Sequence, residues 1–512
     1  MVTTPEGTPV TVSTPSGEVR GRERDGIVRF AGVPYATAAR FAPPVPTPPW
    51  DGVHDATTFG PISPQNTSVM DLIFGAEPEP QSEDCLFLNV WSPSIAPATP
   101  LPVMVWIHGG GFEIGSGSSP MYDGTHFAEH EVVLVSINYR LGALGFLELG
   151  HLDPAYEGSG NVGILDQIAA LEWVRDNIAA FGGDPDRVTI FGESAGAMSV
   201  SLLLAAPSTH GLFHQAIAQS GAASAARTSA QARTDAEEFL SIAGLTSIDE
   251  VLAAPIGTLL AAHGAINASR MADPEAVIRS TGNPLAFLPF RPVADGVHLP
   301  ADPLEAIARG AGAGVPLIVG TNLEEWKLFA MMSPPATDLD GLRSRLGLIT
   351  EDVEGALAAY LAEHPGASPT ELEVAAMTDV VFRVPAAQLA DAQRGHASVR
   401  QYLFTWKSPA FGGAIGSAHA VEIPFVFDIV DDPRLAVFVG PEAPRRLADS
   451  MVSAWSAFAR GELDAVGSIP TWPELGESGR PVLILDVEPT IEDNPEAGTL
   501  AYWQHAHTVF DD

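Results

Sequence analysis

The sequence predicts an α/β protein built around a mostly parallel sheet. Several short runs are apolar throughout instead of alternating between apolar and polar residues, which is typical of strands buried on both faces. The stretch from Ile164 to Phe181 carries apolar residues at helical spacing, as expected for a helix packed on one face. Strand-like and helical runs alternate along the chain, which favours helices on both faces of the sheet.

The predicted elements follow one another in a simple order. Residues 1–50 predict short β segments at Val10–Val12 and Ile27–Phe30, followed by a proline-rich stretch over 43–49. Residues 223–280 are alanine-rich and helical in character, so we interpret them as an insertion over the sheet. No long linker, charge block or repeat divides the sequence, and we expect one domain over residues 1–512. The predicted buried strands are Leu86–Trp91, Val103–Ile107, Val132–Ile137, Val188–Phe191 and Leu317–Val319.

The composition limits the classes of function. The 512 residues include 26 Lys and Arg against 63 Asp and Glu, a formal net charge of −37, and 46% of them are hydrophobic. This apolar content excludes intrinsic disorder, and the shortage of cations argues against binding nucleic acid. The single cysteine, Cys85, cannot form an intramolecular disulfide. We see no signal peptide and no apolar run of membrane-spanning length, and therefore expect a bacterial-type cytoplasmic protein without membrane insertion.

Two motifs match the spacing of known binding sites but have structural explanations that need no such site. Gly158, Gly160 and Gly163 match the dinucleotide-binding spacing G-x-G-x-x-G, but no strand precedes them, as that site requires. His126 and His130 match the zinc-protease spacing H-x-x-E-H, which a short surface helix explains equally well. The two lysines do not follow a phosphate-binding glycine pattern. We therefore expect no cofactor and no metal.

A third motif, Gly192-Glu-Ser194-Ala-Gly196, has the context that its chemistry needs. It directly follows the predicted strand Val188–Phe191 and leads into a helix of small residues. In the G-x-S-x-G motif a serine stands on a sharp strand-to-helix turn. The turn is so tight that the positions two before and two after the serine must lack side chains. Ser194 is therefore a candidate nucleophile.

A glycine-rich segment follows another predicted strand. His108-Gly109-Gly110-Gly111-Phe112 begins where Val103–Ile107 ends. Consecutive glycines leave backbone N–H groups uncovered, and such groups can bind a developing oxyanion. An ordinary glycine-rich turn is the alternative. The position upstream of the serine motif, after a strand of its own, favours the oxyanion hole.

A serine nucleophile needs a histidine base and an acid that orients the base. With this motif the chain order is serine, acid, histidine. His419 is the best-placed base, because a loop of small residues precedes it, whereas His210 and His214 follow Ser194 too closely. Glu324 and Glu325, just past Leu317–Val319, are both candidate acids, and their distance from the strand does not separate them. The other histidines downstream remain candidates: His263, His298, His364, His396, His505 and His507.

Longer matches extend through most of the chain. The most specific is Asn161–Ala197, and the others are Phe30–Tyr35, Glu83–Val90, Val105–Phe112, Asn138–Gly142, Gln219–Gly221, Gly320–Glu325 and His419–Phe425. With these motifs the chain resembles the type-B carboxylesterase family, which includes carboxylesterases, bacterial p-nitrobenzyl-esterase-like enzymes and cholinesterases. The resemblance implies an α/β-hydrolase with helical insertions over the active site. It also implies hydrolysis of carboxylic esters through an acyl-enzyme.

The resemblance assigns roles to individual positions. It implies a nucleophile, an acid and a base, and an oxyanion hole of three amides: Ser194, Glu325 and His419, with the N–H groups of Gly110, Gly111 and Ala195. It further implies three supporting residues around the histidine, namely Glu193, Ser220 and Glu422. A salt bridge is expected between Arg40 and Glu83. Two positions depart from the family pattern: Cys85, which many secreted relatives pair in a disulfide, and Trp326, where many relatives carry glycine.

The specificity of the enzyme is less constrained by the sequence. We expect a small-molecule ester as the substrate, and the sequence does not predict an oligomeric state. A carbamate or amide hydrolase would use the same triad, and a non-catalytic binding protein could share the same fold. Candidates for the substrate pocket, for which ordinary core positions are the alternative, are Phe112, Met198, Phe287, Phe290 and Phe411.

Overall fold

A computed structural model describes residues 7–67, 79–281, 283–331, 335–476 and 479–505. The strands in the described residues are β1 Thr8–Thr14, β2 Gly17–Arg24, β3 Ile27–Pro34, β4 Ala36–Thr37, β5 Val45–Pro46, β6 Val53–Asp55, β7 Phe87–Ser92, β8 Leu101–Ile107, β9 Val133–Ile137, β10 Gly183–Glu193, β11 Gln215–Gln219, β12 Arg227–Thr228, β13 Val293–Ala294, β14 Leu317–Asn322, β15 Val399–Phe404, β16 Pro481–Leu485 and β17 Thr490–Asp493. All the predicted strands are present, and β10 is longer than predicted at both ends.

Thirteen of the described strands form one large sheet. Its order is β1-β2-β3-β7-β9-β8-β10-β11-β14-β15-β16-β17, with β6 paired beside β2. Within this order, every neighbouring pair in the series β9-β8-β10-β11-β14-β15-β16 is parallel. Antiparallel pairs complete the sheet on both sides of this parallel centre. The prediction of a central, mostly parallel sheet is confirmed.

Both faces of the central strands are buried, which explains their continuous apolar runs. In β8, the alternate residues Val103, Val105 and Ile107 belong to one core layer. Their neighbours Met104 and Trp106 belong to the layer on the opposite face. A strand covered on both sides must be apolar at every position, because successive side chains point to opposite faces.

Helices cover the two faces of the sheet. The predicted helix over 164–181 is present as an α-helix that continues into a 3-10 turn, Ile178–Phe181. The predicted insertion contains a series of helices between 229 and 281. The α-helices in the described residues are Thr125–Glu129, Gly142–Phe146, Val162–Asn177, Ala195–Ala205, Ser229–Ala243, Ile248–Ala253, Ile256–Ala272, Pro274–Thr281, Pro303–Ala308, Lys327–Ala330, Leu339–Leu346, Val353–Glu363, Pro369–Thr378, Val384–Gln393, Ile423–Val426, Ala436–Val439, Arg445–Arg460 and Ala497–His505.

The parallel centre of the sheet positions the site. Strands β8, β10, β11 and β14 are consecutive neighbours that run in the same direction. Their carboxyl ends therefore meet at one edge, where ligands bind in open α/β sheets. None of the helices in the described part of the chain has both the length and the apolar character needed to cross a bilayer.

Candidate active site

Ser194 stands on a sharp turn between β10 and the helix Ala195–Ala205. Its backbone has φ 56° and ψ −124°, a conformation that non-glycine residues rarely adopt. The flanking glycines are sterically required. A Cβ on Gly192 would lie 2.5 Å from the carbonyl oxygen of Ile107, and a Cβ on Gly196 would overlap the same oxygen. The tight packing of this turn against β8 therefore explains both glycines.

The glycine-rich loop after β8 lies directly beside this turn. A Cβ on Gly109 would be 3.2 Å from the Cβ of Ser194. Gly110 and Gly111 have φ values of 103° and 64°, which favour glycine. Among the described residues, no acceptor is bound to the N–H groups of Gly110, Gly111 or Ala195. These three amides are therefore free to bind a ligand oxygen.

His419 is buried, and carboxylates face both of its ring nitrogens. Its Nδ1 lies 2.7 Å from Oε2 of Glu325. The second oxygen of Glu325 accepts the backbone N–H of Asn322 at 2.7 Å, so this carboxylate is held at both oxygens. The Nε2 of His419 lies 3.1 Å from Oε1 of Glu193. The hydrogen bonds in the described residues include none between Ser194 Oγ and His419, a bond that often tightens only when substrate binds.

Aromatic rings pack against the imidazole of His419. The ring centroids of Phe329 and Phe382 lie 5.2 and 4.8 Å from that of His419. Phe382 is part of a π-helical turn, Asp379–Arg383. Such turns are uncommon and often occur at functional sites. Neither phenylalanine was predicted, because each comes from a helical segment outside the conspicuous motifs.

The two candidate acids have different partners. Glu325 contacts His419, whereas Glu324 contacts both lysines of the chain. The Glu324 carboxylate lies 3.0 Å from the Nζ of Lys327 and 2.9 Å from the Nζ of Lys407. It also accepts the backbone N–H of Ser417 at 3.0 Å. Of the two glutamates, only Glu325 lies beside the histidine in the structure.

The electrostatics of the site come from three buried carboxyl groups around one imidazole. Burial by itself lowers the pKa of His419, but the carboxylates of Glu193 and Glu325 outweigh it and raise this pKa to about 9. Burial raises the pKa of Glu193 well above its usual value, although His419 opposes this shift. Burial and the charge of Glu325 raise the pKa of Glu422 to about 7. Burial first, and the neighbouring carboxyl groups second, therefore favour protonation within this cluster.

Glu422 is tied to the ends of two strands by side-chain amides. It accepts hydrogen bonds from Gln219 at 3.2 Å and from Asn322 at 2.7 Å. The backbone of Ser220 has φ 54°, and its buried hydroxyl has no hydrogen-bond partner in the described residues. Gln219 and Asn322 were not predicted as site residues. They lie at the ends of β11 and β14, and a position at the end of a strand is also what made Glu324 and Glu325 candidates.

The predicted pocket residues occupy different environments. Phe112 and Phe290 are fully buried, with ring neighbours Phe146 and His263 at 5.3 and 4.8 Å. Met198 is buried in the helix that follows Ser194, and Phe287 is partly exposed. Phe411 is 54% exposed and borders an open cavity of about 510 Å³ lined by residues 409–411, 436–437 and 440–442. That cavity is not lined by Ser194 or by His419.

The other candidate histidines have local partners. His126 contacts Glu129 at 2.8 Å, and His130 binds the carbonyl oxygen of His126 at 2.8 Å. The described residues contain no group of three or more His, Cys, Asp or Glu side chains arranged to hold a metal ion. His507 lies outside the described residues. The remaining candidates contact residues other than Ser194, namely His263 with Glu113, His298 with Asp295, His364 with Glu496, His396 with Ala308 and His505 with Ala501.

The other positions implied by the resemblance can also be located. Arg40 and Glu83 form a two-pronged ion pair, with Nε to Oε2 at 2.6 Å. Arg40 also donates to the carbonyl oxygen of Leu252 at 3.1 Å, so it links the N-terminal segment to the helical insertion. Cys85 is a buried, free thiol. Trp326 directly precedes the helix Lys327–Ala330.

Comparisons with known proteins agree with this arrangement. The sequence profile of the carboxylesterase family matches residues 8–503. The para-nitrobenzyl esterase of Bacillus subtilis (strain 168) is 40% identical and aligns over 95% of this chain and 96% of its own length. A solved structure of a PNB esterase superposes with a TM-score of 0.85 at 38% identity, covering 97% of this chain and 99% of that one. The carboxylesterase Est55 of Geobacillus stearothermophilus superposes with a TM-score of 0.84 at 38% identity, covering 96% and 100%. The chain therefore belongs to the carboxylesterase family and is a carboxylic ester hydrolase of the α/β-hydrolase fold.

Proposed function

We propose that this esterase acts through Ser194 as nucleophile, His419 as general base and Glu325 as the acid that orients the base. The observation that carries the proposal is the contact of 2.7 Å between Glu325 and Nδ1 of His419. A carboxylate at Nδ1 keeps the ring proton on that nitrogen, which leaves Nε2 as the basic atom. The strained turn at Ser194 and the free amides beside it support the same assignment.

The reaction proceeds in two half-reactions. Ser194 Oγ attacks the carbonyl carbon of the ester while Nε2 of His419 takes the hydroxyl proton. The carbonyl electron pair moves onto oxygen, and the oxyanion accepts hydrogen bonds from the N–H groups of Gly110, Gly111 and Ala195. Collapse of this intermediate breaks the bond to the alcohol oxygen, which takes the proton from His419. Water then repeats the sequence on the acyl-enzyme and releases the acid and free Ser194.

Three further residues support the base in this proposal. Glu193 and Glu325 face opposite nitrogens of His419 and stabilise the imidazolium that forms during each half-reaction. Glu422, bound by Gln219 and Asn322, adds negative charge behind that ring. Ser220 has a buried hydroxyl free to bind a water or a neighbouring carboxyl group.

The substrate class in the proposal is small-molecule carboxylic esters, with p-nitrobenzyl esters as a first choice. The 40% identity with the para-nitrobenzyl esterase over nearly the whole chain supports this choice. A panel of p-nitrophenyl esters from acetate to palmitate, with p-nitrobenzyl esters and an aryl carbamate included, measures the acyl and leaving-group preferences. A higher kcat/KM for the carbamate than for every ester would contradict the substrate class. A cytoplasmic location is also proposed, on the ground that the one cysteine cannot form an intramolecular disulfide.

Covalent labelling tests the nucleophile. We expect an organophosphate to inactivate the enzyme and mass spectrometry to map the adduct to Ser194, and we expect Ser194→Ala to be inactive. Ser201→Ala is the matched control, because Ser201 lies on the helix that follows Ser194 and its hydroxyl donates to the carbonyl oxygen of Ala197 at 2.9 Å. An adduct on another residue, or full activity in Ser194→Ala, would refute the assignment.

A further inference from the structure

The conformation of the loop after β8 depends on its contacts with other parts of the chain. Residues 108–118 form no strand and no helix, and φ is positive at Gly110, Gly111, Phe112 and Gly115. Glycine restricts the backbone less than any other residue. The directions of the amides in this loop therefore depend on the groups that hold it.

Several of these contacts attach the loop to the sheet and to the N-terminal segment. The hydroxyl of Tyr139 donates to the carbonyl oxygen of His108 at 2.9 Å. The side-chain amide of Gln65 accepts the N–H of Gly115 at 2.7 Å and donates to its carbonyl oxygen at 3.0 Å. These contacts hold the loop at residues 108 and 115, and between them the N–H of Gly142 donates to the carbonyl oxygen of Phe112 at 2.7 Å.

Glu113 attaches the centre of the loop to the helical insertion. Its Oε2 accepts the side-chain N–H of Asn267 at 2.6 Å and lies 3.1 Å from Nε2 of His263. Asn267 and His263 both belong to the helix Ile256–Ala272. The Glu113 side chain is only 8% exposed. Burying a carboxyl group is costly without polar partners, and Asn267 supplies the hydrogen bond to this one.

The backbone N–H groups of Glu113 and Ile114 together hold the peptide that carries one of the free amides. The N–H groups of Glu113 and Ile114 both donate to the carbonyl oxygen of Gly110, each at 3.1 Å. That oxygen belongs to the same trans peptide unit as the N–H of Gly111. In a trans peptide the C=O and N–H point in opposite directions. Holding the Gly110 oxygen therefore aims the Gly111 N–H away from Glu113.

We infer that Glu113 is a positioning residue for the oxyanion hole, acting through the Gly110–Gly111 peptide and anchored by Asn267 and His263. This inference rests on the proposed function, in which the Gly111 amide binds the oxyanion. Glu113 itself does not touch the substrate in this account. Its contact with the helical insertion holds the Gly110–Gly111 peptide in place, and this peptide sets the direction of the Gly111 N–H group.

Steady-state kinetics of Glu113→Ala test the inference. Removing an oxyanion donor outright costs about 10²–10³ in kcat. A donor that is only misdirected costs less, and we expect kcat to fall by about 10- to 100-fold with KM changed by less than about threefold. The affinity for a trifluoromethyl ketone, which forms a tetrahedral adduct, should fall by the same factor as kcat/KM. A purely structural role would not produce this match.

Two further variants keep the test decisive. Asn267→Ala removes only the hydrogen-bond partner of Glu113. The loss of kcat that it causes should not add to the loss caused by Glu113→Ala when both substitutions are combined. This variant also serves if Glu113→Ala does not fold. Glu238→Gln is the matched control, because Glu238 binds Arg270 of the same helix at 2.7 Å without touching the loop, and it should keep the wild-type kcat.

The outcomes separate this inference from the proposed function. If Ser194→Ala is inactive but folded Glu113→Ala and Asn267→Ala keep wild-type kcat and ketone affinity, the positioning role is wrong and the triad stands. Equal losses of kcat in Glu238→Gln would also overturn it, since they would reflect general loosening of the helix. If Ser194→Ala stays active, the proposed function itself fails.

Discussion

Glutamine at position 325 would keep the shape of the side chain but change the hydrogen bond that it can form with His419. In the wild-type protein, one carboxylate oxygen faces Nδ1 of His419 at 2.7 Å and the other accepts the N–H of Asn322 at 2.7 Å. Glutamine can keep the bond from Asn322 only by turning its oxygen toward that N–H. Its NH₂ group then points at Nδ1. Because this group only donates, Nδ1 must become an acceptor and the ring proton moves to Nε2.

The magnitude follows from this inverted tautomer. A protonated Nε2 cannot take the proton of Ser194. In serine proteases, the analogous aspartate-to-asparagine change lowers kcat by about 10⁴. We therefore expect Glu325→Gln to lose about 10³–10⁴ in kcat.

Glu324→Gln is the matched comparison, one residue away on the same turn. Glu324 is held by Lys327, Lys407 and the backbone N–H of Ser417, none of which faces His419. Its loss of kcat should stay below about tenfold. The assay is the initial rate of p-nitrophenyl acetate hydrolysis over a range of substrate concentrations, with circular dichroism to verify folding.

Either of two results would refute this reasoning. A folded Glu325→Gln variant with kcat within tenfold of wild type would show that Nδ1 does not need a carboxylate. An inactive Glu324→Gln beside an active Glu325→Gln would move the acid by one residue.

Two other predictions concern pH and stability. Glu193 and Glu325 raise the pKa of His419, so His419 should become protonated, and lose its function as a base, at a higher pH than an ordinary histidine. The fall of kcat/KM on the acid side of the pH profile, its acid limb, should therefore lie above about pH 6.5. Glu193→Gln removes one of these charges and should move the limb to lower pH by about one unit; a limb that stays in place or moves upward would contradict the electrostatic account. Arg140→Ala should lower the free energy of unfolding by about 3–5 kcal/mol in urea titrations, because it leaves the buried carboxylate of Asp166 without its two-pronged partner. Arg175→Ala, which breaks an exposed ion pair, should cost less than about 1 kcal/mol, and equal losses in the two variants would refute the burial argument.

The sequence by itself determined the features that depend on neighbouring residues. The serine turn could be predicted because Gly192, Ser194 and Gly196 lie within five residues of one another and their constraint is steric and local. The glycine loop after β8 could be predicted for the same reason. The central strands were visible as apolar runs, because burial on both faces requires an apolar residue at every position.

The contacts of His419 depend on distant parts of the chain. Glu325 lies 94 residues before it and Glu193 more than 200. Distance along the sequence does not measure distance in space, so His419 and Glu325 could be paired beforehand only through the family resemblance. Phe382 was not predicted, since a phenylalanine in a helical segment carries no sign of the ring it will pack against.

Which of two adjacent glutamates contacts His419 was decided only by the tertiary structure. Glu324 and Glu325 follow the same strand and have the same chemistry. Their partners differ, since the Glu324 carboxylate lies beside Lys327 and Lys407 and the Glu325 carboxylate lies beside His419. Likewise Phe411, a pocket candidate by position, is 54% exposed. The contacts and the exposure of a side chain depend on strands and helices that are distant in the sequence and meet only when the sheet and its covering helices assemble. Local sequence patterns do not show which of these elements will be neighbours.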